Sequence, residues 1–254
     1  MSHPRSCKVL DARPRHSRLL RLAQRICPFE FGTFGPLTIR REAVSLGLAH
    51  PVRLLYASDL HLGHWWTQQV PAQVLDVSRQ TQPNVILLGG DLADRRSALA
   101  ALRDCVRGLS AVAPVAAIPG NHDERPGVPN VRTAVVEGGG HWLLDHSLEH
   151  PIGIDARIGF ASAPECRVLC SHHPDVFPNS AQAGYRLVLA GHLHGGQCVL
   201  ATVGGRLYPA VWFHRWHGLR FTAGDATLIV SRGVADTLPV RFNCPREVIV
   251  CEIS

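Results

Sequence analysis

The sequence predicts an α/β protein with a main sheet that is buried on both faces. Short apolar runs alternate along the chain with longer stretches whose apolar residues recur at helical spacing. The runs are almost unbroken, as in strands that other layers cover on both faces. A chain of 254 residues, of which 46% are hydrophobic and 18% charged, can bury such a core, and this composition excludes a disordered or fibrous protein.

Seven apolar runs predict the strands of this sheet structure. Five in the central part of the chain are Val52–Ala57, Asn84–Leu88, Val115–Ile118, Arg167–Cys170 and Arg186–Ala190. Two further runs near its end are Thr227–Val230 and Glu247–Cys251. Polar or glycine-rich residues follow the five central runs, which is typical of loops at strand ends.

Two segments between the strands predict helices. Near residues 97–109, the residues Ala98, Leu102, Cys105 and Leu109 recur at helical spacing, and a second helix is predicted near residues 71–80. We find neither an internal repeat nor a low-complexity linker after residue 50. Residues 51–254 are therefore predicted to form one domain.

Residues 1–50 differ in charge from the rest of the chain. They hold nine Lys or Arg and three Asp or Glu, whereas residues 51–254 hold seventeen of each. We interpret residues 1–50 as a basic leader that is partly disordered, with a short amphipathic helix at 16–27 and a first strand. This helix either rests on an anionic membrane surface or packs on the domain. The neutral main domain argues against nucleic acid as a partner, because duplex binding needs a basic footprint.

The eight cysteines are spaced without any CxxC pair, and several stand in apolar runs. They are predicted to be reduced and mostly buried thiols. No apolar stretch reaches the roughly 18–20 residues of a membrane span, and arginines interrupt the apolar residues near the N-terminus. We therefore expect a cytoplasmic protein, with peripheral contact at the inner face of the membrane as an open alternative.

Residues that carry chemistry stand directly after the five central strands. These endings are Ser58-Asp59-Leu60-His61, Gly90-Asp91, Gly120-Asn121-His122-Asp123, Ser171-His172-His173 and Gly191-His192-Leu193-His194. Because ligands bind at the carboxyl ends of strands in open α/β sheets, we expect these side chains to meet at one edge. Carboxylate, amide and imidazole donors without thiolates favour Mn, Fe, Zn or Co over Ca or a structural zinc site.

In this order, Asp-x-His, Gly-Asp, Gly-Asn-His-Asp, a later His and Gly-His-x-His resemble the motifs of the calcineurin-like metallophosphoesterase superfamily. Residues 191–197, 231–234 and 239–245 resemble its small bacterial phosphohydrolase branch, which includes phosphodiesterases and UDP-diacylglucosamine pyrophosphatases. The resemblance covers about residues 50–254. It implies a single-domain, four-layer α/β/β/α sandwich.

The resemblance also implies a centre of two divalent metal ions. The first metal would be held by Asp59, His61 and His194, the second by Asn121, His172 and His192, and Asp91 would bridge both. His122 would lie near the scissile phosphate as a catalytic residue, with Asp123 orienting its imidazole. His172 is preferred to His173 because the family pattern there is His-x-Pro-Asp or similar.

The implied activity is cleavage of a phosphodiester or pyrophosphate bond by a metal-activated hydroxide. A nuclease or a phosphomonoesterase on the same fold is the alternative, and a noncatalytic scaffold is a third class. The neutral main domain disfavours the nuclease, and the complete ligand set disfavours the scaffold. The basic leader and the tryptophans favour an amphiphilic phosphate ester as the substrate.

Other residues near the motifs have both a functional and a packing interpretation. His64, Trp65 and Trp66 either line the substrate mouth or pack the loop, and Arg95 and Arg96 either contact phosphate or are solvated. The segment Trp212–His217, with Arg220, either binds a phosphate or lipid tail or packs on the sheet. The residues predicted to have only supporting, turn or surface roles are Asp94, His141, His146, His150, Asp225, Asp236 and Asn243–Pro245.

Overall fold

Two β-sheets stacked face to face form the centre of the protein, and helices cover their outer surfaces. The computed structural model describes residues 29–149, 151–156 and 166–254. The helix predicted at 16–27 and the surface residue His150 lie outside these ranges. The α/β/β/α arrangement predicted from the sequence is confirmed, and the layer over the second sheet is thin.

The strands follow the chain in this order: β1 Phe29–Phe31, β2 Thr38–Val44, β3 Val52–Ala57, β4 Val85–Gly89, β5 Val115–Ile118, β6 His141–Trp142, β7 Gly153–Asp155 and β8 Cys166–Cys170. The later strands are β9 Leu187–Ala190, β10 Ala201–Val203, β11 Arg206–Tyr208, β12 Arg220–Ala223, β13 Ala226–Val230, β14 Val240–Phe242 and β15 Glu247–Ile253. The α-helices are α1 Val70–Thr81, α2 Leu99–Ser110, α3 Val128–Glu137 and α4 Phe177–Gln182.

The two large sheets have mixed strand directions. The first has the order β2-β15-β3-β4-β5-β6, in which β3 to β6 are parallel and β15 runs antiparallel to β3. The second has the order β12-β13-β9-β8-β7, with β12 alone antiparallel to its neighbour. Two smaller ribbons pair β1 with β14 and β10 with β11. The parallel strands place several carboxyl ends at one edge.

Three apolar clusters hold the layers together. Between the sheets, Leu54 and Leu87 of the first pack with Leu189 of the second. On the outer face of the first sheet, alternate residues such as Leu88 pack against helices α1 to α3. On the outer face of the second, Phe177 of α4 lies in the cluster. Sheet strands that are covered on both faces explain the unbroken apolar runs in the sequence.

The strand predicted within residues 1–50 is part of the main sheet. β2 pairs in parallel with β15 along its whole length, so this section of the basic leader packs with the domain. Sequence reasoning did not predict α3 or α4. The helix α4 has only six residues, whereas Val128, Val131 and Val135 of α3 stand at helical spacing and were an available signal. Within the described ranges, none of the helices has the length and apolar character needed to cross a bilayer.

Candidate metal centre

The carboxyl ends of β3, β4, β5, β8 and β9 bring the predicted ligands together where the two sheets meet. One group consists of Asp59, His61 and His194, whose ligand atoms all lie within 4.8 Å of one another. In this group, His194 Nε2 is 3.7 Å from Asp59 Oδ1 and 3.3 Å from His61 Nε2. Three residues from two sheets therefore converge on one point.

A second group lies on the other side of Asp91. The Asp91 Oδ2 atom is 3.2 Å from His172 Nε2 and 3.8 Å from His61 Nε2, so it stands between the two groups. Asn121 Oδ1 is 3.1 Å from the same His172 nitrogen. His192 completes the group, because its ligand nitrogen lies within 4.8 Å of those of His172 and His173.

The hydrogen bonds of three imidazoles test whether these donors fit metal cations. The Nδ1 atoms of His61, His172 and His194 each face an oxygen, at 2.9 Å from Asp94 Oδ1, 2.9 Å from Gly89 O and 2.8 Å from Asp236 Oδ1. A neutral imidazole that donates from Nδ1 presents a lone pair at Nε2. Two such lone pairs, of His61 and His194, then face each other at 3.3 Å, an arrangement that a cation between them stabilises. The donor set fits divalent metal ions.

The backbone at the centre is unusual. Five of the seven predicted ligands have positive φ angles: Asp59, His61, Asp91, His192 and His194. Non-glycine residues rarely adopt this conformation, and such residues cluster at functional sites. Two glycines are also required where the backbone closely approaches the carboxylates of predicted ligands. A Cβ atom on Gly120 would lie 2.1 Å from Asp91 Oδ1, and one on Gly191 would lie 2.6 Å from Asp59 Oδ2.

Asp91 and Asp94 are ionised at neutral pH. Burial alone would raise the pKa of Asp91, but its hydrogen bond to His172 and the nearby imidazoles lower the pKa below its ordinary value. Burial would also raise the pKa of Asp94. The interactions of Asp94 with His61, His64 and His122 outweigh this effect and bring its pKa to about 2. The same negative charge that attracts protons to these imidazoles attracts metal cations.

The side chains of His122 and Asp123 have different hydrogen-bond partners. The His122 Nδ1 atom is 3.1 Å from Asp94 Oδ1, while the Asp123 carboxylate accepts backbone N–H groups of Leu92, Ala93 and Gly120. Asp94, rather than Asp123, thus orients the His122 imidazole, which corrects the sequence-based assignment of Asp123. The chain turns in a 3-10 helix over His122–Glu124, so consecutive side chains point in different directions. Asp123 holds the loops after β4 and β5 together.

Asp94 connects several parts of the centre. Its Oδ1 atom accepts hydrogen bonds from both His61 and His122, and its Oδ2 atom lies 2.7 Å from His64 Nε2. The sequence predicted only loop support for Asp94. Its position in the loop of Asp91, three residues later, was the available signal for a closer role.

We expect Asp94→Asn to lower the affinity for divalent cations by roughly 10- to 100-fold, because an amide oxygen orients the ligand His61 less strongly than a carboxylate. Metal titration of the metal-free protein measures the change. Glu124→Gln is the control, since Glu124 is exposed and lies on the neighbouring turn. Equal affinities of the two variants would show that Asp94 does not support the metal ligands.

Asp236 has a role that the sequence did not predict. It was assigned to a turn, yet it is buried, and its Oδ1 atom accepts a hydrogen bond from His194 Nδ1 at 2.8 Å. It also pairs with Arg241, whose guanidinium is likewise buried. Asp236 follows His194 by more than forty residues, so no local pattern in the sequence links them.

Some of the remaining candidate residues pack against neighbouring side chains, and others are exposed. Trp66 stacks on His64 and donates its indole N–H to Asp236 O, whereas Trp65 is exposed. Arg95 lines a cavity of about 540 Å³ beside these tryptophans. His141 bonds to the backbone of His146. Cys105, Cys170, Cys244 and Cys251 are free and buried, and Cys198 is free and exposed.

Comparison with known proteins identifies the family. The sequence model described as calcineurin-like phosphoesterase matches residues 52–196, which include all seven predicted ligands. The chain belongs to this family. The resemblance inferred from the sequence motifs is thereby confirmed, and this phosphoesterase is a metal-dependent hydrolase of phosphoric ester bonds.

Relatives of this phosphoesterase carry similar names. The chain is 26% identical over 234 residues to Phosphodiesterase YaeI of Escherichia coli, covering 81% of this chain and 83% of that protein. It is 24% identical over 222 residues to the uncharacterized metallophosphoesterase YkuE of Bacillus subtilis, covering 78% and 77%. The structure of TT1561 of Thermus thermophilus aligns with a TM-score of 0.44 at 13% identity, covering 72% of this chain and 90% of that one. The family assignment rests on the sequence match.

Proposed function

We propose that this phosphoesterase is a dinuclear enzyme that hydrolyses phosphodiester or pyrophosphate bonds. The single observation that supports two metals is the position of Asp91. Its Oδ2 atom lies within 4 Å of an imidazole nitrogen in each ligand group, at 3.2 Å from His172 and 3.8 Å from His61. A carboxylate that stands between the two groups in this way could serve two cations. Asp59, His61 and His194 would hold one cation, and Asn121, His172 and His192 the other.

The chemistry of the bound cations would be to polarise the phosphate oxygens and supply hydroxide near neutral pH. The chain's own residues position these charges before the substrate arrives. The backbone N–H of His122 donates to Asp91 Oδ1 at 2.7 Å, and that of His192 donates to Asp59 Oδ1 at 3.0 Å. Electrostatic groups that are fixed in advance need no rearrangement during the reaction, which is the main source of such catalysis.

His122 is proposed to act on the leaving oxygen of the substrate. Its Nδ1 atom is engaged by Asp94, so the proton available for transfer is on Nε2. The imidazole is partly exposed beside the buried His61, at 4.7 Å between ring centroids. A protonated His122 would stabilise the pentavalent phosphorane or donate its Nε2 proton to the departing alkoxide.

We expect His122→Ala to keep its metal content and to slow hydrolysis by about 10²- to 10⁴-fold, the range typical of general acid catalysis. Elemental analysis and steady-state rates measured on the same preparation check both parts. Metal loss in His122→Ala would make His122 a ligand and would contradict the proposed role. His141→Ala serves as the matched histidine control, because the half-buried His141 bonds to the backbone of His146 and is not among the predicted ligands.

The preference for a diester is supported by the name of the relative YaeI, a phosphodiesterase. A substrate screen tests it with bis-p-nitrophenyl phosphate, p-nitrophenyl phosphate, a UDP-sugar lipid, and DNA and RNA in the presence of Mn²⁺. We expect the diester or the pyrophosphate to be cleaved. Activity on the monoester alone would contradict the proposal, and activity on nucleic acid alone would assign the nuclease alternative in place of an amphiphilic ester.

Three finer points complete the proposal. The cations are Mn, Fe, Zn or Co, according to the mixed oxygen and nitrogen donors. The substrate is a phosphate ester of amphiphilic character, and nucleic acid is not expected as a partner. A cytoplasmic location, with peripheral contact between the basic leader of residues 1–50 and the inner face of the membrane, stays a prediction.

A further inference from the structure

The ribbon of β1 and β14 presents an apolar side to solvent. Its register pairs Phe29 with Phe242 and Phe31 with Val240. Alternate residues of a strand lie on the same side, so these four side chains share one side of the ribbon. Phe29, Phe31 and Val240 are exposed, and the Phe29 ring contacts that of Phe242 at 4.9 Å between centroids. The outward side of this ribbon is apolar.

The opposite side of the ribbon holds charged groups directed into the protein. Glu30 binds Arg246 there, with 2.5 Å between Oε1 and Nε, and Arg241 binds Asp236. Both arginines are buried. If the ribbon turned its aromatic side toward the core, both of these ion pairs would break. The fold therefore holds the apolar side in solvent.

Residues from two other segments extend this side. The rings of Phe31, Phe34 and Trp65 lie 6.0 to 6.4 Å from one another. We call the whole set the aromatic face; its members are Phe29, Phe31, Phe34, Trp65, Leu238 and Val240, each 50% to 68% exposed. Clusters of exposed apolar side chains of this kind mark interaction sites.

Cationic residues adjoin the aromatic face in the sequence. Residues 1–28, which lead directly into Phe29, hold seven Lys or Arg and one Asp. This distribution suits an anionic partner.

We propose that the aromatic face binds the surface of an anionic phospholipid membrane. Exposed Trp and Phe side chains favour the boundary between headgroups and acyl chains, and neighbouring cations favour anionic lipids. A groove of about 630 Å³ lies beside Phe31 and Phe34 and leaves space in which lipid can contact these side chains.

The aromatic face is close to the metal centre. Asp236, whose carboxylate binds His194, accepts the indole N–H of Trp66 at its carbonyl oxygen, and Leu238 lies two residues further on. Membrane binding would bring lipid phosphate esters to the ligands, which makes an amphiphilic ester the substrate class. This consequence rests on the proposed function, whereas the membrane binding itself does not.

Sedimentation of the full-length protein with vesicles tests the proposal. We expect binding to vesicles of phosphatidylcholine with phosphatidylglycerol and much weaker binding to phosphatidylcholine alone. The double variant F31S/F34S should bind the anionic vesicles at least about 10-fold more weakly, because two apolar side chains are removed from the contact. V136S is the matched control, since Val136 is also exposed but lies on α3, away from the aromatic face.

Tryptophan fluorescence is a second measurement of membrane binding, and it needs no phenylalanine variant. Anionic vesicles should shift the emission of the wild type to shorter wavelength, and W65F should lose part of this shift while retaining the binding. Circular dichroism checks that each variant is folded. Both experiments use no substrate, so an enzyme inactive on diesters would refute the proposed function and leave this inference standing.

Several results would overturn the inference. One is that the wild type fails to bind anionic vesicles. Another is that F31S/F34S binds as well as V136S, which would assign the binding to residues 1–28 alone. A third is that light scattering finds a dimer that F31S/F34S dissociates without any effect on vesicles. In that case the aromatic face would be covered by a second copy of the chain.

Discussion

Asp91→Asn is expected to reduce hydrolysis by about 10³-fold or more and to release metal, because it removes the one charge shared by both ligand groups. The change is nearly isosteric, so packing at the edge of the sandwich is retained. His172 and His61 would then face an amide that has one oxygen acceptor in place of two. Metal content and turnover are measured on the same purified sample.

Asp104→Asn is the matched control for this experiment. Asp104 is an exposed residue of α2 that pairs with Arg107 and lies away from the predicted ligands. It should keep wild-type activity and metal. A metal-replete Asp91→Asn enzyme with normal turnover would remove the bridging role and, with it, the reason to propose two cations.

Arg241→Met is expected to lower the free energy of unfolding by about 3–5 kcal/mol, the cost of leaving one partner of a buried ion pair without the other. Arg241 donates to Asp236 through Nε at 2.5 Å and through Nη2 at 2.8 Å, and both side chains are almost fully buried. Methionine retains much of the volume, so the loss comes mainly from the buried Asp236 carboxylate, which loses its arginine partner and keeps its contact with His194 Nδ1. Urea unfolding of the metal-free protein measures it.

The exposed pair Arg132–Asp145 provides the control, because pairs of this kind contribute less than about 1 kcal/mol. Arg132→Met should therefore change stability little. The double variant D236N/R241M should be more stable than Arg241→Met alone, since it no longer buries an unpaired charge. If Arg241→Met unfolds at the same urea concentration as Arg132→Met, the buried pair does not stabilise the fold.

The sequence predicted the parts of the site that depend on strand ends. Asp59, Asp91 and His192 each follow an apolar run, and parallel strands carry such residues to one edge whatever the details of packing. The helix near 97–109 was predicted for a similar local reason, and it begins at Leu99 after a 3-10 turn. Local patterns thus sufficed for most of the sandwich.

Contacts between distant segments could not be predicted in this way. Asp236 reaches His194 only because the chain returns to the site after β13. Asp123 was expected beside the imidazole of His122, but the tight turn after β5 directs its carboxylate to backbone N–H groups. The outward aromatic side of β1 also escaped prediction, because its direction depends on the buried partners of Glu30 and Arg241.

The central claim is that two cations bind around Asp91 and support hydrolysis of a diester. Its most direct test is a metal titration of the chelated protein that follows binding and bis-p-nitrophenyl phosphate hydrolysis together. We predict that activity returns in full only when two equivalents of metal are bound per chain. Full activity with one equivalent, or with none, would contradict the account.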